Sequence, residues 1–170
     1  MPKILYKGKV FRIERGIRRI KGRTIIFDKI VGPDTVGVLP VFDDGRLLLE
    51  KQYRYSVGKY LYEIPAGHID KEETASEGAI RELEEETGYR AGTIKLMFKA
   101  HPSPGSKSEF ASYFVATNLK KTKTKLENDE IISVKIVKLE RALQMIKKNE
   151  IRDLKTVASI LFYNAMIKQA

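Results

Sequence analysis

No cysteine occurs in the 170-residue chain. That excludes a disulfide framework and thiol chemistry, and it agrees with a cytoplasmic protein. No apolar run approaches the ~20 residues that a membrane-spanning helix needs, so no membrane partner is expected. The first residues, Met-Pro-Lys-Ile-Leu-Tyr-Lys-Gly-Lys, lack the apolar core of a secretory signal peptide. There is no internal repeat and no Pro/Gly/Ser-rich linker. The length suffices for one domain with a full core.

Acidic residues are the minority: 22 Asp and Glu against 32 Lys and Arg leave a net charge of +10. A basic protein attracts polyanions, nucleotides and nucleic acid among them. The lysines are scattered, however, as on an ordinary surface. The densest run, Lys120-Lys121-Thr122-Lys123-Thr124-Lys125, reads as an exposed loop with no interleaved aromatics to stack bases. Nucleic acid is therefore not the expected partner.

Residues 1–34 alternate apolar and basic residues, among them Ile4, Tyr6, Val10, Phe11, Ile13, Ile20, Ile25, Ile26 and Phe27. The alternation predicts two or three strands in a small antiparallel subdomain. Residues 35–170 form the main unit. Thr35–Phe42 reads as a buried strand, Asp43-Asp44-Gly45 as a turn, Arg46–Arg54 as the returning strand and Tyr60–Ile64 as a short strand. Further strands are expected at Thr93–Ala100, Glu109–Thr117 and Ile132–Val137. Two helices close the chain. Leu139–Lys148 turns Ala142, Leu143 and Ile146 inward, and Asp153 caps Leu154–Ile167. This order predicts an α/β fold with a mixed sheet flanked by helices.

The most specific stretch is residues 67–89, Gly-His-Ile-Asp-Lys-Glu-Glu-Thr-Ala-Ser-Glu-Gly-Ala-Ile-Arg-Glu-Leu-Glu-Glu-Glu-Thr-Gly-Tyr. Thr74 and Glu77 form a Thr-x-x-Glu capping box, and Gly88 is a natural left-handed stop. The spacing predicts a helix over Ala75–Thr87. At about 100° per residue, Ala75, Ala79, Ile80 and Leu83 share an apolar side. Glu82 and Glu86 lie one turn apart at its edge with Glu85 beside them, while Glu77 and Glu84 face solvent. Clustered carboxylates repel, by roughly 0.2–0.5 kcal/mol per exposed i,i+4 pair, and a cation offsets that repulsion. Mg²⁺ and Mn²⁺ take oxygen ligands and keep several waters, so a few carboxylates and a substrate phosphate complete a site. Arg81 reads as a partner that orients a glutamate, and Glu73 as a hydrogen-bonding residue of the loop. His68 and His101 are not expected as ligands, because such sites rarely use imidazole.

Gly67, Glu73, Arg81, Glu82, Leu83, Glu85, Glu86 and Gly88 match the signature box of the Nudix hydrolases, which the chain resembles over about residues 35–168. Tyr89 departs from it, being aromatic where an aliphatic residue is usual. The resemblance implies an α/β/α sandwich and Mg²⁺-dependent hydrolysis of a nucleoside diphosphate linked to another group, with Mn²⁺ as a substitute. It also implies that the carbonyl of Ala66 joins Glu82, Glu85 and Glu86 in the metal shell.

Substrate has to be read outside the box. Ser103-Pro104-Gly105, then Ser106-Lys107-Ser108-Glu109, is similar to the downstream segment of ADP-ribose pyrophosphatases. So is Gln52-Tyr53-Arg54 ahead of Tyr62-Glu63-Ile64-Pro65-Ala66-Gly67. That resemblance implies substrate contacts from Arg54, Glu63, Glu109, Pro104 and Gly105. Arg54 would grip the pyrophosphate bidentately. Glu63 and Glu109 would accept hydrogen bonds from ribose hydroxyls or the adenine amine. Read in isolation, Arg54 is equally a strand-edge charge, Glu63 and Glu109 are surface acids, and Pro104-Gly105 is a turn. Tyr53 and Phe110 are candidates for stacking on adenine or for the core. The resemblance places the general base in the acidic loop Leu126-Glu127-Asn128-Asp129-Glu130-Ile131, with Glu130 first and Glu127 second. Glu85 is counted with them as catalytic. The implied reaction converts ADP-ribose and water to AMP and ribose 5-phosphate. The implied assembly is a homodimer with exchanged N-terminal strands. Another nucleoside diphosphate sugar, a dinucleotide or a capped RNA stays open as substrate, as does a sensor that binds ADP-ribose without cutting it.

Overall fold

The computed structural model describes residues 2–126 and 130–168. Residues near the start form an antiparallel sheet of their own, β1 (Lys3–Lys7), β2 (Arg12–Ile20) and β3 (Arg23–Val31), in that spatial order. The β2–β3 turn runs through Lys21 and Gly22, whose φ values of 49° and 76° suit the tight two-residue hairpin. Then follow β4 (Thr35–Pro40), β5 (Leu47–Arg54), β6 (Lys59–Glu63), β7 (Ala66–His68), α1 (Ala75–Thr87), β8 (Tyr89–Ala100), β9 (Ala111–Lys121), β10 (Ile132–Val137), α2 (Leu139–Lys147) and α3 (Leu154–Ile167). One sheet has the order β7-β4-β9-β8 and is mixed, with β4 and β9 parallel and the other pairs antiparallel. A second, antiparallel sheet has the order β10-β5-β6.

Alternation along β4 and β9 explains the layers. Val36, Val38, Phe114 and Ala116 face α1, whose Ala79 and Leu83 complete that core. Leu39, Tyr113 and Val115 belong to the other core, with Leu47 and Leu49 of β5, Met145 of α2 and Ile160 of α3. The mixed sheet is thus covered on both faces, as the α/β/α expectation requires.

Several boundaries differ from the sequence reading, each for a local reason. β6 ends at Glu63 because the N–H of Ile64 is taken by Thr156 Oγ1 at 2.8 Å. β7 was not expected: three residues, Ala-Gly-His, are too few to show alternation. β8 begins at Tyr89, directly after Gly88, and β9 runs on to Lys121. Lys120 and Lys121 therefore lie on a strand end opposite Arg90 and Tyr89, not in a loop. The aromatic exception in the box has a partner, since Tyr89 meets Phe42 edge-on at 5.4 Å. Ile80 lies about 100° round the helix from Ala79, and it lines a shallow groove with Glu77, Glu84 and Arg90 rather than the core. In α2 the fully buried side chains are Ala142 and Met145, with Leu143 and Ile146 partly buried beside them.

The start of α3 is tied to the β6–β7 junction. Asp153 Oδ2 accepts from Thr156 N at 3.0 Å and from Thr156 Oγ1 at 2.6 Å. The same hydroxyl accepts from Ile64 N. Thr156→Val keeps the shape but strands the buried Ile64 N–H. It is expected to cost about 2 kcal/mol, read as a lower urea midpoint with an unchanged slope. An unchanged midpoint would contradict the importance of this link.

Candidate active site

The helix that carries the box glutamates is fixed at both ends. Thr74 Oγ1 accepts from Glu77 N at 3.3 Å, and Glu77 Oε2 accepts from Thr74 N at 2.8 Å. Gly88 closes the other end with φ 69°, a left-handed turn that glycine adopts without strain. These caps set the rotation of α1 and so the direction of Glu82, Glu85 and Glu86.

β7 runs close beside that helix. A Cβ on Gly67 would collide with the Glu82 carboxylate and push it from its place. Ala66, its neighbour, donates its N–H to Glu86 Oε2 at 2.9 Å. Arg81 joins loop and helix. Its Nε and Nη2 bond the two oxygens of Glu73, each at 2.9 Å. Nη2 also donates to the carbonyl of His68, and Nη1 reaches Glu82 at 2.8 Å and Glu85 at 3.2 Å. Arg81 thus orients glutamates, as its place in the sequence suggested. Glu73 adds a bond from Asp70 N at 3.2 Å.

Burial dominates the electrostatics. Glu86 is 3% exposed. Burial pushes its carboxyl well above the usual range, and the charges of Glu50, Glu82 and Glu130 add to that, against the Ala66 N–H. Burial also raises Glu82, opposed by Arg81 and assisted by Glu85 and Glu130. Glu50 was missed in the sequence. It sits on β5 at 1% exposure, and burial pushes it up to about 8. Neither of its oxygens has a hydrogen-bond partner among the described residues. The signal was present as an acid at the end of Leu47-Leu48-Leu49, all of them buried.

A second knot lies alongside. Glu63, also 1% exposed, accepts from Arg54 Nε at 2.9 Å and Nη2 at 2.7 Å. Lys155, at the start of α3, bonds the same carboxylate and lies 3.1 Å from Asp153. Glu63 is therefore no surface acid, and its carboxylate is held by two cations. Lys155 gave no sign in the sequence, because its partner is 92 residues away.

A cleft of about 670 Å³ opens beside these groups, with Arg54, Ala66, Gly67, Glu109 and Lys155 among its walls. Glu109 Oε1 accepts from Thr35 Oγ1 at 2.8 Å, and Lys107 lies 3.4 Å from Oε2. Pro104 and Gly105 sit in an exposed turn outside the lining, whereas Pro102 and Lys107 line it. Tyr53 packs edge-on against Tyr55 and Tyr60, and Phe110 leans on His101. Neither lines the cleft. Phe98 and Tyr113, stacked at 4.6 Å, do. The N-terminal unit also contributes, through Val10 and Phe11 between β1 and β2 and through Ile30 of β3. Ile30 is bonded to the rim by its N–H to Ser106 O, 2.8 Å, and its carbonyl to Ser108 N, 3.0 Å. Glu130 lies near enough for its charge to act on Glu50, Glu82 and Glu86. Glu127 lies outside the described residues.

The donor set suits a hard divalent cation. It offers oxygens only: Glu82 against Gly67, Glu86 against the Ala66 N–H, and a buried Glu50 carboxylate with no donor among the described residues. Among the described residues no three acidic or histidine side chains are already gathered as a cage. Glu82 and Glu85 share Arg81 instead.

The family model for the NUDIX domain matches residues 32–160. An ADP-ribose pyrophosphatase of Bacillus subtilis (strain 168) is 34% identical over 161 residues, covering 93% of this chain and 87% of that protein. A methanol dehydrogenase activator of Bacillus methanolicus is 31% identical over 161 residues, with the same coverage of 93% and 87%. A solved structure of an ADP compounds hydrolase aligns with a TM-score of 0.86 at 21% identity, covering 99% of this chain and 95% of that chain. At that identity the likeness is one of fold.

The Glu63 knot has a pH signature. Burial pushes Glu63 up, but Arg54 and Lys155 outweigh it and hold the carboxyl below the ordinary 4.5. A depressed carboxyl stabilises fully above its unfolded value and loses that contribution as pH falls through the folded one. Glu63→Gln should lower stability by about 1.5–3 kcal/mol near neutral pH, since Arg54 loses its carboxylate and Lys155 keeps only Asp153. Denaturant titrations should show this gap narrowing below pH 4.5. A gap independent of pH would contradict the ion-pair assignment.

Proposed function

Because the chain belongs to the Nudix family, we propose that it hydrolyses the pyrophosphate bond of ADP-ribose to AMP and ribose 5-phosphate, with Mg²⁺ as cofactor and Mn²⁺ as substitute. Pyrophosphohydrolysis is the reaction class of the family. One observation carries the substrate reading. Ala66 and Gly67, which touch Glu86 and Glu82, wall the same cleft as Arg54, Lys155 and Glu109. Its volume of about 670 Å³ is that of a small-molecule site. The likeness over 93% of the chain to an ADP-ribose pyrophosphatase supports the same reading.

Glu82, Glu85, Glu86 and the Ala66 carbonyl would hold the metal. When bound, such an ion supplies charge neutralisation at the phosphoryl oxygens and a more acidic water. Arg54, held in place by Glu63, offers its guanidinium to the pyrophosphate, and Lys155 adds a second positive charge on the same side. Glu109 accepts hydrogen bonds from the ribose or adenine, and the turn at Pro104 and Gly105 shapes the rim. Glu130 takes the proton of the attacking water, with Glu127 as the second candidate. Attack in line at one phosphorus then expels the other phosphate as leaving group.

Residues 1–34 are proposed as a dimerisation element. Ile17 and Ile26, paired across β2 and β3, are 66% and 63% exposed. An apolar pair this open, with Ile4 of β1 also exposed in the same sheet, suits a contact with a second copy.

Incubation with Mg²⁺ and ADP-ribose, followed by chromatography, should yield AMP and ribose 5-phosphate, and Glu86→Gln should abolish both. Absence of products from the unaltered protein with either Mg²⁺ or Mn²⁺ would overturn the substrate reading. Glu130→Gln should lower kcat about 10²–10⁴-fold with KM nearly unchanged. Equal turnover would sink the assignment of the base. Light scattering should give twice the 19.4 kDa chain mass, and a single chain mass would remove the dimer.

A further inference from the structure

Glu50 remains once the box and its ion pairs are accounted for. It sits mid-way along β5, the central strand of its sheet, opposite Glu63 on β6 and Val134 on β10. Among the described residues neither of its buried oxygens has a hydrogen-bond partner. Two residues on, and so on the same face of the strand, Gln52 is buried with Oε1 likewise unpartnered. Three buried acceptor oxygens therefore lie on one strand face with no donor. The two cations whose charge reaches Glu50, Lys155 and Arg54, are already bonded to Glu63.

Nothing in the strand itself calls for an acid here. Like charges directly opposite across a strand pair are unfavourable, and a buried acceptor left unpaired bears its full desolvation cost. A valine would remove both penalties and suit the strand better. Its charge reaches the box helix α1. Of the charged groups that act on Glu86, Glu50 acts most strongly, ahead of Glu82 one turn away on the same helix. Glu130 also acts on Glu50.

We propose that Glu50, backed by Gln52, is a carboxylate of the divalent-cation site supplied from β5, outside the box, and that it binds the ion directly or through one water. The proposal rests on the reading of Glu82, Glu85 and Glu86 as metal residues. Hard dications take six or more oxygens, and the box supplies only part of that number. With an ion between them, Glu50 and Glu86 cease to repel and become joint ligands. The orphan oxygens gain the partner they lack.

The test uses the full chain and Mn²⁺ alone, followed by calorimetric titration and by the electron paramagnetic resonance signal of free Mn²⁺. Unaltered protein, Glu50→Gln, Glu50→Val and Glu86→Gln are compared, and melting is recorded in EDTA. Glu50→Gln and Glu50→Val should bind Mn²⁺ ~10–100-fold more weakly while melting in EDTA at or above the temperature of the unaltered protein. Glu50→Gln preserves shape, so it reports even if the valine variant misfolds. Mn²⁺ affinity lost in Glu86→Gln but unchanged in Glu50→Gln would overturn the role of Glu50 and leave the box reading standing. No Mn²⁺ binding by the unaltered protein would overturn both.

Discussion

Arg81 is the contact on which the site depends. One guanidinium bonds Glu73, Glu82, Glu85 and the carbonyl of His68. It thereby locks the loop after β7 to the face of α1. Without it the glutamates would swing with their own rotamers, and the loop would lose its anchor. The pattern suits arginine rather than lysine, because a planar fork with five donors can serve several acceptors at once. Gly67 is the complement to this lock. By lacking a Cβ it lets the strand approach until Glu82 lies against the backbone.

Two cationic knots and two acids without a cation partner accompany that arrangement. Arg81 gathers the carboxylates on the helix, while Arg54 and Lys155 gather Glu63 on the sheet. Buried ion pairs contribute little net stability, since desolvation offsets attraction. Their value here is positional. They fix where cations and carboxylates stand before any ligand arrives, which lowers the reorganisation needed for chemistry. Glu50 and Glu86 are the exceptions. Both are buried, the charge of Glu50 raises Glu86 further, and among the described residues no cation is bonded to either. A fold under selection for stability alone would not keep that pair.

Legibility in the sequence tracked the range of the interactions. α1 and α3 were readable to the residue, because capping box, αL glycine and Asp153 are signals within a few positions. The mixed sheet flanked by helices followed from the order of the elements along the chain. The box glutamates were readable because their spacing on one helix fixes their geometry. What escaped was built by pairing across the fold. Lys155 reaches a partner in a distant strand, and Glu50 looks like any strand residue until its neighbours are known. β7 is too short for a period. Tyr53 and Phe110 were reasonable aromatic candidates, but only the packing of two sheets shows that Phe98 and Tyr113 line the cleft. Pro104 and Gly105 form the expected turn, yet the turn projects outward and leaves the lining to its flanks.

The most direct measurement is anomalous diffraction from crystals grown with Mn²⁺ and a non-hydrolysable ADP-ribose analogue. Manganese peaks are expected within reach of the Ala66 carbonyl, Glu82 and Glu86, with the Glu50 carboxylate turned towards one of them and Arg81 still bonded to Glu73. Analogue bound in the cleft with no manganese between it and α1 would contradict a metal-centred site.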